Sequence, residues 1–517
     1  MNKWLKILFV MLVIPAMVIP AMLLLRTPAL AESTSYSSLS DLDGKRIGVQ
    51  TGTTFDDITK NALPNATIEY YNSYADLVEA LSSNKIDAFP ADEPVLQLIK
   101  SENPSITYLS EHLDSFEFGV IMQKSDKGTA LKREFDDWLS EFRVSGGLDE
   151  MTDKWITGPD GEKTIPDYES FPTPKGKLSM ATEGGYPPMN YYRDNQIVGL
   201  EVDLIARFCE SAGYGLKIVP MNFDAMLPAV QTGKADIGLS GISITEERKE
   251  GVLFSDPYYT GGTVMAVLNN SASAANDTSF FGGIVDSFAK TFLRENRWQM
   301  FLEGVGVTLA ITLLSIVLGT ILGFVVFLLC RNGGRISNGI SSACMWLIQG
   351  MPGVVLLMIL YYIVFGSFSI GGVAVSVVGF TLTFGTTVFG LLKMGVGTVD
   401  VGQREAAYAL GYSNRKTFFR IILPQALPHI VAPYKGEVVN LIKATSIVGY
   451  IAVQDLTKMG DIVRSRTYEA FFPLIAITII YFALEGLLGF LVSRIAITID
   501  PKRRTKDDIL KGVITDD

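Results

Sequence analysis

The amino-acid sequence predicts a water-soluble α/β part followed by an all-α membrane part. The chain has 517 residues, and its charged residues, 19% of the total, crowd into the first half. Mean hydropathy is +0.28, and the second half contains apolar runs of about 20 residues, the length that crosses a bilayer as a helix. The first half instead alternates short β-rich runs with helical runs, as α/β domains do.

The beginning of the chain has the pattern of a targeting segment. Lys3 and Lys6 precede an apolar run over residues 7–25, and Ala29 and Ala31 place small residues where a signal peptidase cleaves. Residues 1–31 are therefore predicted to be a signal peptide or a membrane anchor. The domain that follows, residues 32–268, is expected to lie outside the cytoplasm.

Residues 42–268 show both the strand and the helix periodicity. The β-rich run 45–50 ends in a Thr-Gly-Thr-Thr turn, 51–54, which exposes backbone N–H groups at the start of a helix. A Pro/Gly/Lys-rich connection, 158–177, separates two halves. Further strands are expected at 88–90, 118–123, 178–182 and 237–239, and helices at 75–81, 131–155 and 200–212.

Composition excludes several classes of protein. The net charge is −10 and no basic tract is present, so nucleic acid is not an expected partner. The cysteines (Cys209, Cys330 and Cys344) form no disulfide framework, and with two histidines the chain has no recognisable zinc or other metal site. No G-x-x-x-x-G-K-[ST] loop occurs, so no catalytic residue and no cofactor is assigned to this chain and it is not expected to hydrolyse ATP itself.

The membrane part is predicted to span the bilayer five times, between a linker with an amphipathic helix (269–300) and a tail (497–517). Its domain covers 301–496, with spans at 305–329, 345–365, 373–392, 430–453 and 471–492. Basic residues cluster after the first span, between the third and fourth, and in the tail, whereas the loop 366–372 has no charge. The positive-inside rule places the basic segments in the cytoplasm and the first half of the chain outside.

The loop 400–428 carries the most specific motif. Residues 405–411 read EAAYALG, and LPQA follows at 423–426. Gly411 is expected to break two short helices, and the apolar residues Phe418, Phe419 and Leu423 should need a partner to cover them. The loop resembles the EAA loop of ABC importer permeases, which docks on a separate ATPase. The resemblance implies that Glu405, Ala406, Ala407, Gly411 and Pro424 couple to that subunit.

The same resemblance implies the remaining partners. The ATPase would use ATP and Mg²⁺, and the working importer needs two permease halves and two EAA loops. Because the chain supplies one of each, it is expected to form a homodimer in the cell membrane. The motif Ile348-Gln349-Gly350-Met351-Pro352 and the run NLIKATS at 440–446 also resemble this permease family.

The soluble part resembles periplasmic binding proteins for polar amino acids, with its halves in reversed order. The motifs ATEGGYPP (181–188), GLEVDL (199–204), SGISITEER (240–248) and FSDPY (254–258) belong to the half that normally comes first, and LDGKRIGV (42–49) opens the other. The resemblance implies a bilobed, type II, circularly permuted fold. Residues 42–120 would form the second lobe and 121–268 the first, with one unbroken crossing at 118–123 and residues 40 and 268 meeting at the hinge.

The resemblance also places a ligand-binding site between the lobes. Arg248 would hold the ligand carboxylate, because a planar guanidinium matches a carboxylate bidentately, and Asp92 would hold the α-ammonium. Further contacts are expected from Gly241 and Ser243 of the ligand loop, from the aromatic walls Tyr186 and Phe223, from Thr53 and Thr54 of the other lobe, and from Glu183 and Gln50 around the ligand side chain. An acidic group beside two aromatic rings favours a cationic amino acid, arginine first, then lysine or histidine, with glutamine as the alternative.

Two other functions use the same fold. Amino-acid-gated ion channels have it, but their pore interrupts the two lobes, whereas here both lobes precede every span. Enzymes on the binding-protein fold would need a catalytic carboxylate in the cleft, for which Glu183 is the one candidate. In the membrane part, Glu437 and Lys443 are expected to lie near the interface or to pair with each other, while Glu485 has no role assigned by the sequence.

Overall fold

A computed structural model describes residues 36–193, 196–269, 285, 287–331, 334–366, 368, 370–467 and 471–499. The predicted targeting segment, most of the linker after residue 269 and residues 500–517 of the tail lie outside the described residues.

The soluble domain alternates strands and helices as the sequence predicts. Its strands are β1 Arg46–Gln50, β2 Thr67–Tyr71, β3 Phe89–Asp92, β4 Ile106–Phe118, β5 Ile121–Met122, β6 Lys177–Thr182, β7 Gly185–Tyr186, β8 Asn190–Arg193, β9 Gln196–Val198, β10 Gly215–Pro220, β11 Ile237–Gly238, β12 Leu253–Phe254 and β13 Tyr259–Leu268. Its helices are α1 Phe55–Ala62, α2 Tyr74–Ser82, α3 Glu93–Glu102, α4 Asp126–Val144, α5 Gly147–Ile156, α6 Leu200–Ala212, α7 Phe223–Gln231 and α8 Glu246–Gly251.

Each lobe is built on its own sheet. In the first lobe the strand order is β10-β6-β11-β5-β12, with β10, β6 and β11 parallel and β5 antiparallel to its neighbours. In the second lobe β1 pairs with β2 in parallel, and β3, β13 and β4 form an antiparallel sheet. A parallel bridge between Ile47 and Ala88 joins these two groups. The interiors are apolar, since Ile47, Val49 and Phe89 are fully buried.

The lobes are connected differently from the prediction. In the described residues the chain crosses between lobes twice, from β4 to β5 and from β12 to β13. Strand β13 therefore belongs to the second lobe, so the expected assignment of all of 121–268 to the first lobe is wrong for residues 259–268. The reason is its pairing, because Tyr259 lies opposite Phe118 at the crossing and Leu268 lies opposite Ile106 at the far end of β4. The chain thus leaves the domain from the second lobe and not from the hinge.

The reversed order of the halves is visible in how helix α5 packs. It precedes the strand that opens the first lobe, yet it lies on that lobe. Trp155 Nε1 donates to Asp203 Oδ2 of α6 at 2.9 Å, and Lys154 bonds to the same carboxylate. Residues 157–176 join α5 to β6 and so connect ends that lie side by side, which is where circular permutation is tolerated.

The membrane domain consists of helices α9 Trp298–Cys330, α10 Arg335–Gly350, α11 Gly353–Met358, α12 Gly372–Gly397, α13 Val401–Ala409, α14 Asn414–Thr417, α15 Leu423–Ala444, α16 Leu456–Thr467 and α17 Phe471–Ile499. Among the described residues, α9, α12 and α17 are long and apolar enough to cross a bilayer, and the count reaches five if each of two bent pairs is one span. One pair bends by 104° between α10 and α11, and the other by 55° before α16.

Small residues and one ion pair hold these helices together. Cβ atoms added at Gly319 and Gly323 of α9 would meet the backbone of Gly385 in α12 at 3.2 and 2.5 Å, so the two helices touch through their backbones. Lys443 pairs with Glu485 of α17 at 3.7 Å. Lys443 therefore pairs with Glu485 rather than with Glu437, and the charge in the last helix has a partner.

We predict that removing the Asp203 carboxylate destabilises the soluble domain. Its side chain is fully buried and also accepts from Arg207 Nε at 2.7 Å. Asp203→Ala leaves three donors without their shared acceptor, which should cost about 3 kcal/mol of the free energy of unfolding. Scanning fluorimetry of the full chain in detergent measures this. Glu210→Ala, at an exposed position of the same helix, is the control and should change little; equal unfolding temperatures for both variants would contradict the prediction.

Candidate ligand-binding site

A small cavity lies between the lobes where the sequence analysis places the site. All ten predicted ligand residues line it, together with Phe55, Tyr74 and Ser240, which the sequence analysis missed. Its volume is about 20 Å³, room for a single water molecule, so the lobes must separate before a larger ligand enters. Ser240 is the first residue of the motif 240–248 that contains the ligand loop, and Phe55 directly follows the Thr-Gly-Thr-Thr turn, so both lay in or next to motifs already recognised.

Arg248 crosses from the first lobe to the second. Thr245 caps helix α8, its side chain accepting from the backbone N–H of Arg248 at 3.2 Å, which places Arg248 in the first turn. The guanidinium donates through Nη1 to the carbonyl of Ser243 and through Nη2 to the carbonyl of Gly52, both at 3.0 Å. It also lies 5.8 Å from the centre of the Phe223 ring. Burial lowers the pKa of Arg248, so the cation is held where an anion would be strongly attracted.

Asp92 lies at the end of β3 and is 4% exposed. The hydroxyl of Tyr186, from the other lobe, donates to its Oδ2. Burial raises the pKa of Asp92 to about 7, against the opposing effect of this hydrogen bond. A carboxyl in this position will ionise fully once a cation replaces the neutral hydroxyl beside it.

Glu183 and Gln50 meet across the cleft. The amide Nε2 of Gln50 donates to Glu183 Oε1 at 3.1 Å and to the carbonyl of Asn72 at 3.4 Å. Burial raises the pKa of Glu183 to about 7, while Lys458 of helix α16 and the Gln50 amide act in the opposite direction. The side-chain end of the site is thus acidic, with a neutral amide as its partner.

The remaining predicted residues take more local roles. Tyr186 stacks on Tyr74 with ring centres 5.7 Å apart, and Tyr186 and Phe223 both line the cavity. The hydroxyl of Thr53 donates to the carbonyl of Gln50 at 2.7 Å, and Thr54 occupies the N-cap position of helix α1 without a side-chain capping bond. These contacts shape the Thr-Gly-Thr-Thr turn beside the cavity.

A buried network under the ligand loop was missed by the sequence analysis. Glu201, fully buried in α6, accepts from the Gly241 N–H at 2.7 Å, from Asn190 Nδ2 at 2.6 Å and from the Tyr258 hydroxyl. The expected Gly241 backbone donor is therefore already engaged by Glu201. Gly241 has a φ of +61°, and a Cβ there would lie 2.4 Å from the Tyr186 ring, so only glycine fits. Glu201 is a positioning residue for the loop.

Helix α16 of the membrane domain lies across the mouth of the cleft. Arg464 bonds to Asp76 of the second lobe and Lys458 to Asn222 of the first, and Gln454, just before the helix, donates through Nε2 to the Tyr192 hydroxyl at 2.8 Å. A cavity of about 320 Å³ separates the helix from the lobes, and Glu183 lines both this cavity and the cleft. The cleft thus opens toward the membrane domain.

Comparison with known proteins identifies the family of the chain. A profile of the bacterial extracellular solute-binding proteins, family 3, matches residues 178–448, more than half of the chain. The chain belongs to this family. The start of the match, next to the first residue of β6, is where the permuted order places the family's opening strand.

The other part of the chain matches permeases. The putative glutamine transport system permease protein GlnP of Rickettsia typhi is 31% identical over 194 residues, 37% of this chain and 88% of that protein. The arginine transport system permease protein ArtQ of Bacillus subtilis is 32% identical over 37% of this chain and 88% of that protein. A solved amino acid ABC transporter with histidines is 28% identical over 40% of this chain and 97% of its own, with a TM-score of 0.37. The family match and the two permease relatives show that the protein is a solute-binding domain fused to an amino-acid ABC transporter permease.

The structure gives the EAA loop of this fusion a clear shape. Helix α13, which contains Glu405, Ala406 and Ala407, ends before Gly411, whose φ of +80° makes the predicted break. Pro424 lies in the first turn of α15. The apolar residues from Phe418 onward are only partly exposed, as against the expectation that all of them need a partner, because Phe418 and Ile422 are buried against the fusion's own membrane helices. The more exposed apolar side chains are those of Val401 and Leu410, 67% and 78% exposed.

We predict that Asp92 weakens the fold of the fusion as the pH rises. Its pKa is raised from 3.8 to about 7, so the folded state holds a proton that the unfolded state releases, and stability falls between about pH 4 and pH 7. Asp92→Asn should therefore stabilise the domain by about 1–3 kcal/mol above pH 7 and by little at pH 4. Unfolding temperatures measured across this range provide the check. The exposed-site variant Asp57→Asn should show no such pH-dependent difference, and a flat profile for Asp92→Asn would contradict the prediction.

Proposed function

We propose that this chain is the receptor and permease subunit of an ABC importer for a cationic, arginine-like amino acid. The binding domain captures the amino acid outside the cell, and the membrane domain conducts it inward, using ATP hydrolysed by a separate subunit. The observation that carries this proposal is the set of contacts closing the cleft. Each pairs one predicted anchor with a group that imitates part of an amino acid.

Three pairs make the argument. The Tyr186 hydroxyl donates to Asp92 where an α-ammonium would, and the Gly52 carbonyl accepts from Arg248 where an α-carboxylate would. The Gln50 amide donates to Glu183 where the polar end of a side chain would. A free amino acid replaces the weaker partner of two pairs with full charges, and charge-assisted hydrogen bonds are about twice as strong as neutral ones.

The side-chain pair favours a cation. Glu183 is a carboxylate, and its partner Gln50 is neutral, so an arginine or lysine side chain would supply the missing positive charge. The relatives carry names for both arginine and glutamine transport, so the permease similarity leaves the two classes open. A neutral glutamine side chain would bring Glu183 no positive charge, whereas an arginine or lysine side chain would stabilise its ionised form in a buried site.

The route inward passes beneath helix α16. Its contacts to both lobes hold the cleft over the permease, and the cavity beyond Glu183 is lined by Asp76, Asp455 and Asp461 as well as by Lys458 and Arg464. An excess of carboxylates suits a cationic amino acid leaving the cleft. The EAA loop precedes α15 and α16 follows it, so receptor and coupling loop lie at opposite ends of one span. This supports a receptor outside the cell membrane and a coupling loop and C-terminus in the cytoplasm.

Coupling would use the EAA loop. The exposed apolar side chains of Val401, Tyr408 and Leu410 form a surface that a separate ATPase would cover, while Glu405, Ala406 and Ala407 lie on the same helix. Glu405, Ala406, Ala407, Gly411 and Pro424 keep their proposed coupling roles. ATP and Mg²⁺ would be bound by that partner subunit.

The other two functions lack support of this kind. For an ion channel, both lobes would have to flank the pore, yet they precede the membrane domain. For an enzyme, Glu183 would have to act on the ligand, yet it faces an amide and opens onto the permease rather than onto a second catalytic group.

We predict that substitutions distinguish Arg248, which binds the carboxylate of every amino acid, from Glu183, which selects the ligand side chain. Glu183→Gln keeps the size of the side chain and should weaken arginine binding by about 2 kcal/mol, or about thirtyfold, while glutamine binding changes little. Arg248→Ala should instead weaken every amino acid, by about 2–5 kcal/mol, because the carboxylate loses its partner. Isothermal titration of the full chain in nanodiscs measures both.

The two variants test the position of the site and the substrate class separately. If Arg248→Ala binds as tightly as the parent, the site is not the one described. If Arg248→Ala fails to bind but Glu183→Gln leaves arginine binding unchanged, the site is right and the cationic substrate class is wrong. Tight binding of glutamate by the parent chain would also reject that class.

We also predict the stoichiometry of the transporter. One chain supplies a single EAA loop, so the assembled importer should contain two copies of this chain and two of the ATPase. Mass measurement of the complex purified with its ATPase counts the subunits. A complex with one copy of this chain and a different permease protein would contradict the homodimer.

A further inference from the structure

A second site, unrelated to the ligand cleft, lies at the other end of the membrane domain. It is a cavity of about 280 Å³ between the end of α9, the end of α12 and the EAA loop. Arg331, Lys393 and Arg404 line it, and none of the described residues around it is acidic. Three cations around one cavity without a carboxylate repel one another unless an anion lies between them.

Two polar atoms in this cavity have unmet hydrogen bonds. Nη1 of Arg331 and Oγ1 of Thr417 are buried and have no hydrogen-bond partner among the described residues. The guanidinium of Arg331 is fixed, with its central carbon 4.2 Å from the centre of the Phe418 ring. Buried donors of this kind are rare in folded proteins, and a phosphate oxygen accepts well from both guanidinium and hydroxyl groups.

An apolar groove continues from the cationic cavity. Its volume is about 1020 Å³, and it runs between α9, α10 and α12 along residues that include Leu322, Val326 and Leu382. Cys330 and Phe389 line both spaces. The two spaces together form one site with a cationic end at the membrane boundary and an apolar length inside the membrane domain.

We propose that this joined site binds an anionic phospholipid. The phosphate lies between Arg331, Lys393 and Arg404 and accepts from Thr417, and an acyl chain lies in the groove. Neither a free phosphate nor a soluble acidic peptide would use the apolar part, and a zwitterionic lipid would bring its own cation into a cavity that already has three.

The position of the site suggests what the lipid does. Arg404 lies on α13 and Thr417 on α14, the two helices of the EAA loop, whereas Lys393 belongs to the membrane-spanning helix α12 and Arg331 directly follows the last residue of α9. One phosphate contacting all four residues ties the coupling loop to the spans. The coupling loop is therefore held in register by a lipid as well as by protein contacts.

The test compares lipids with matched acyl chains on the full chain purified in neutral detergent. Native mass spectrometry measures retention of phosphatidylglycerol and phosphatidylcholine added in equal amounts. The parent should retain phosphatidylglycerol at least tenfold better. The double variant Arg331→Gln/Arg404→Gln should lose about thirtyfold, at roughly fivefold for each basic group near an anionic lipid. The control Arg415→Gln/Arg420→Gln removes the same charge from exposed positions of the same loop that do not line the cavity and should behave as the parent.

The groove needs its own variant. Cys344→Trp narrows the apolar part and should reduce phosphatidylglycerol retention several-fold without changing the unfolding temperature. Equal retention of the two lipids by the parent, or unchanged retention by the double variant, would overturn the proposal. Displacement of phosphatidylglycerol by inorganic phosphate at millimolar concentration, or by assembly with the ATPase, would also overturn it. So would a Cys344–Cys344 cross-link, because it would show that a second copy of the chain covers the groove.

Discussion

Buried charge is the constraint on which the architecture of this fusion depends. Closing the two lobes removes Asp92, Glu183 and Arg248 from water, and a buried charge without a partner is far more costly than one left in water. Each charge therefore meets a polar group from the opposite lobe. In the proposed function an amino acid displaces these pairs, because two of the partners are neutral carbonyl or hydroxyl groups and the third is an amide. Closure and recognition thus use the same atoms.

Permutation changes how the receptor is attached. Both ends of the described soluble domain belong to the second lobe, since Tyr36 bonds to Asp87 and Leu268 pairs with Ile106 on β4. The first lobe is connected to the rest of the chain only through the crossings at 118–121 and 254–259. This lobe carries Arg248 and Glu183, and its Asn222 contacts Lys458 of the membrane domain. Most of the proposed recognition groups therefore lie on the lobe from which the chain does not continue into the membrane domain. Opening can move this lobe without straining the linker.

In the membrane domain, too, a charged side chain meets a partner from another element. Lys443 and Glu485, on different helices, meet at 3.7 Å, which accounts for a charge in the last span that hydropathy alone leaves unexplained. Glycine-to-backbone contacts between α9 and α12 replace the hydrophobic driving force that is absent inside a bilayer. At the end of the membrane domain that holds the EAA loop, by contrast, the described residues around the cavity include three cations and no carboxylate, whereas carboxylates outnumber cations around the cavity under α16.

The sequence by itself determined the division into soluble and membrane parts, and its resemblance to known families implied the reversed lobes, the EAA loop and ten of the thirteen residues around the cleft. These follow from local patterns, because hydropathy runs, turn motifs and short signatures need no knowledge of distant contacts. Only the tertiary structure decided that β13 belongs to the second lobe, that Glu201 already holds the Gly241 N–H, and that Lys443 pairs with Glu485. Those facts depend on which strands and helices lie side by side, and residues far apart in the chain carry no local signal of their pairing.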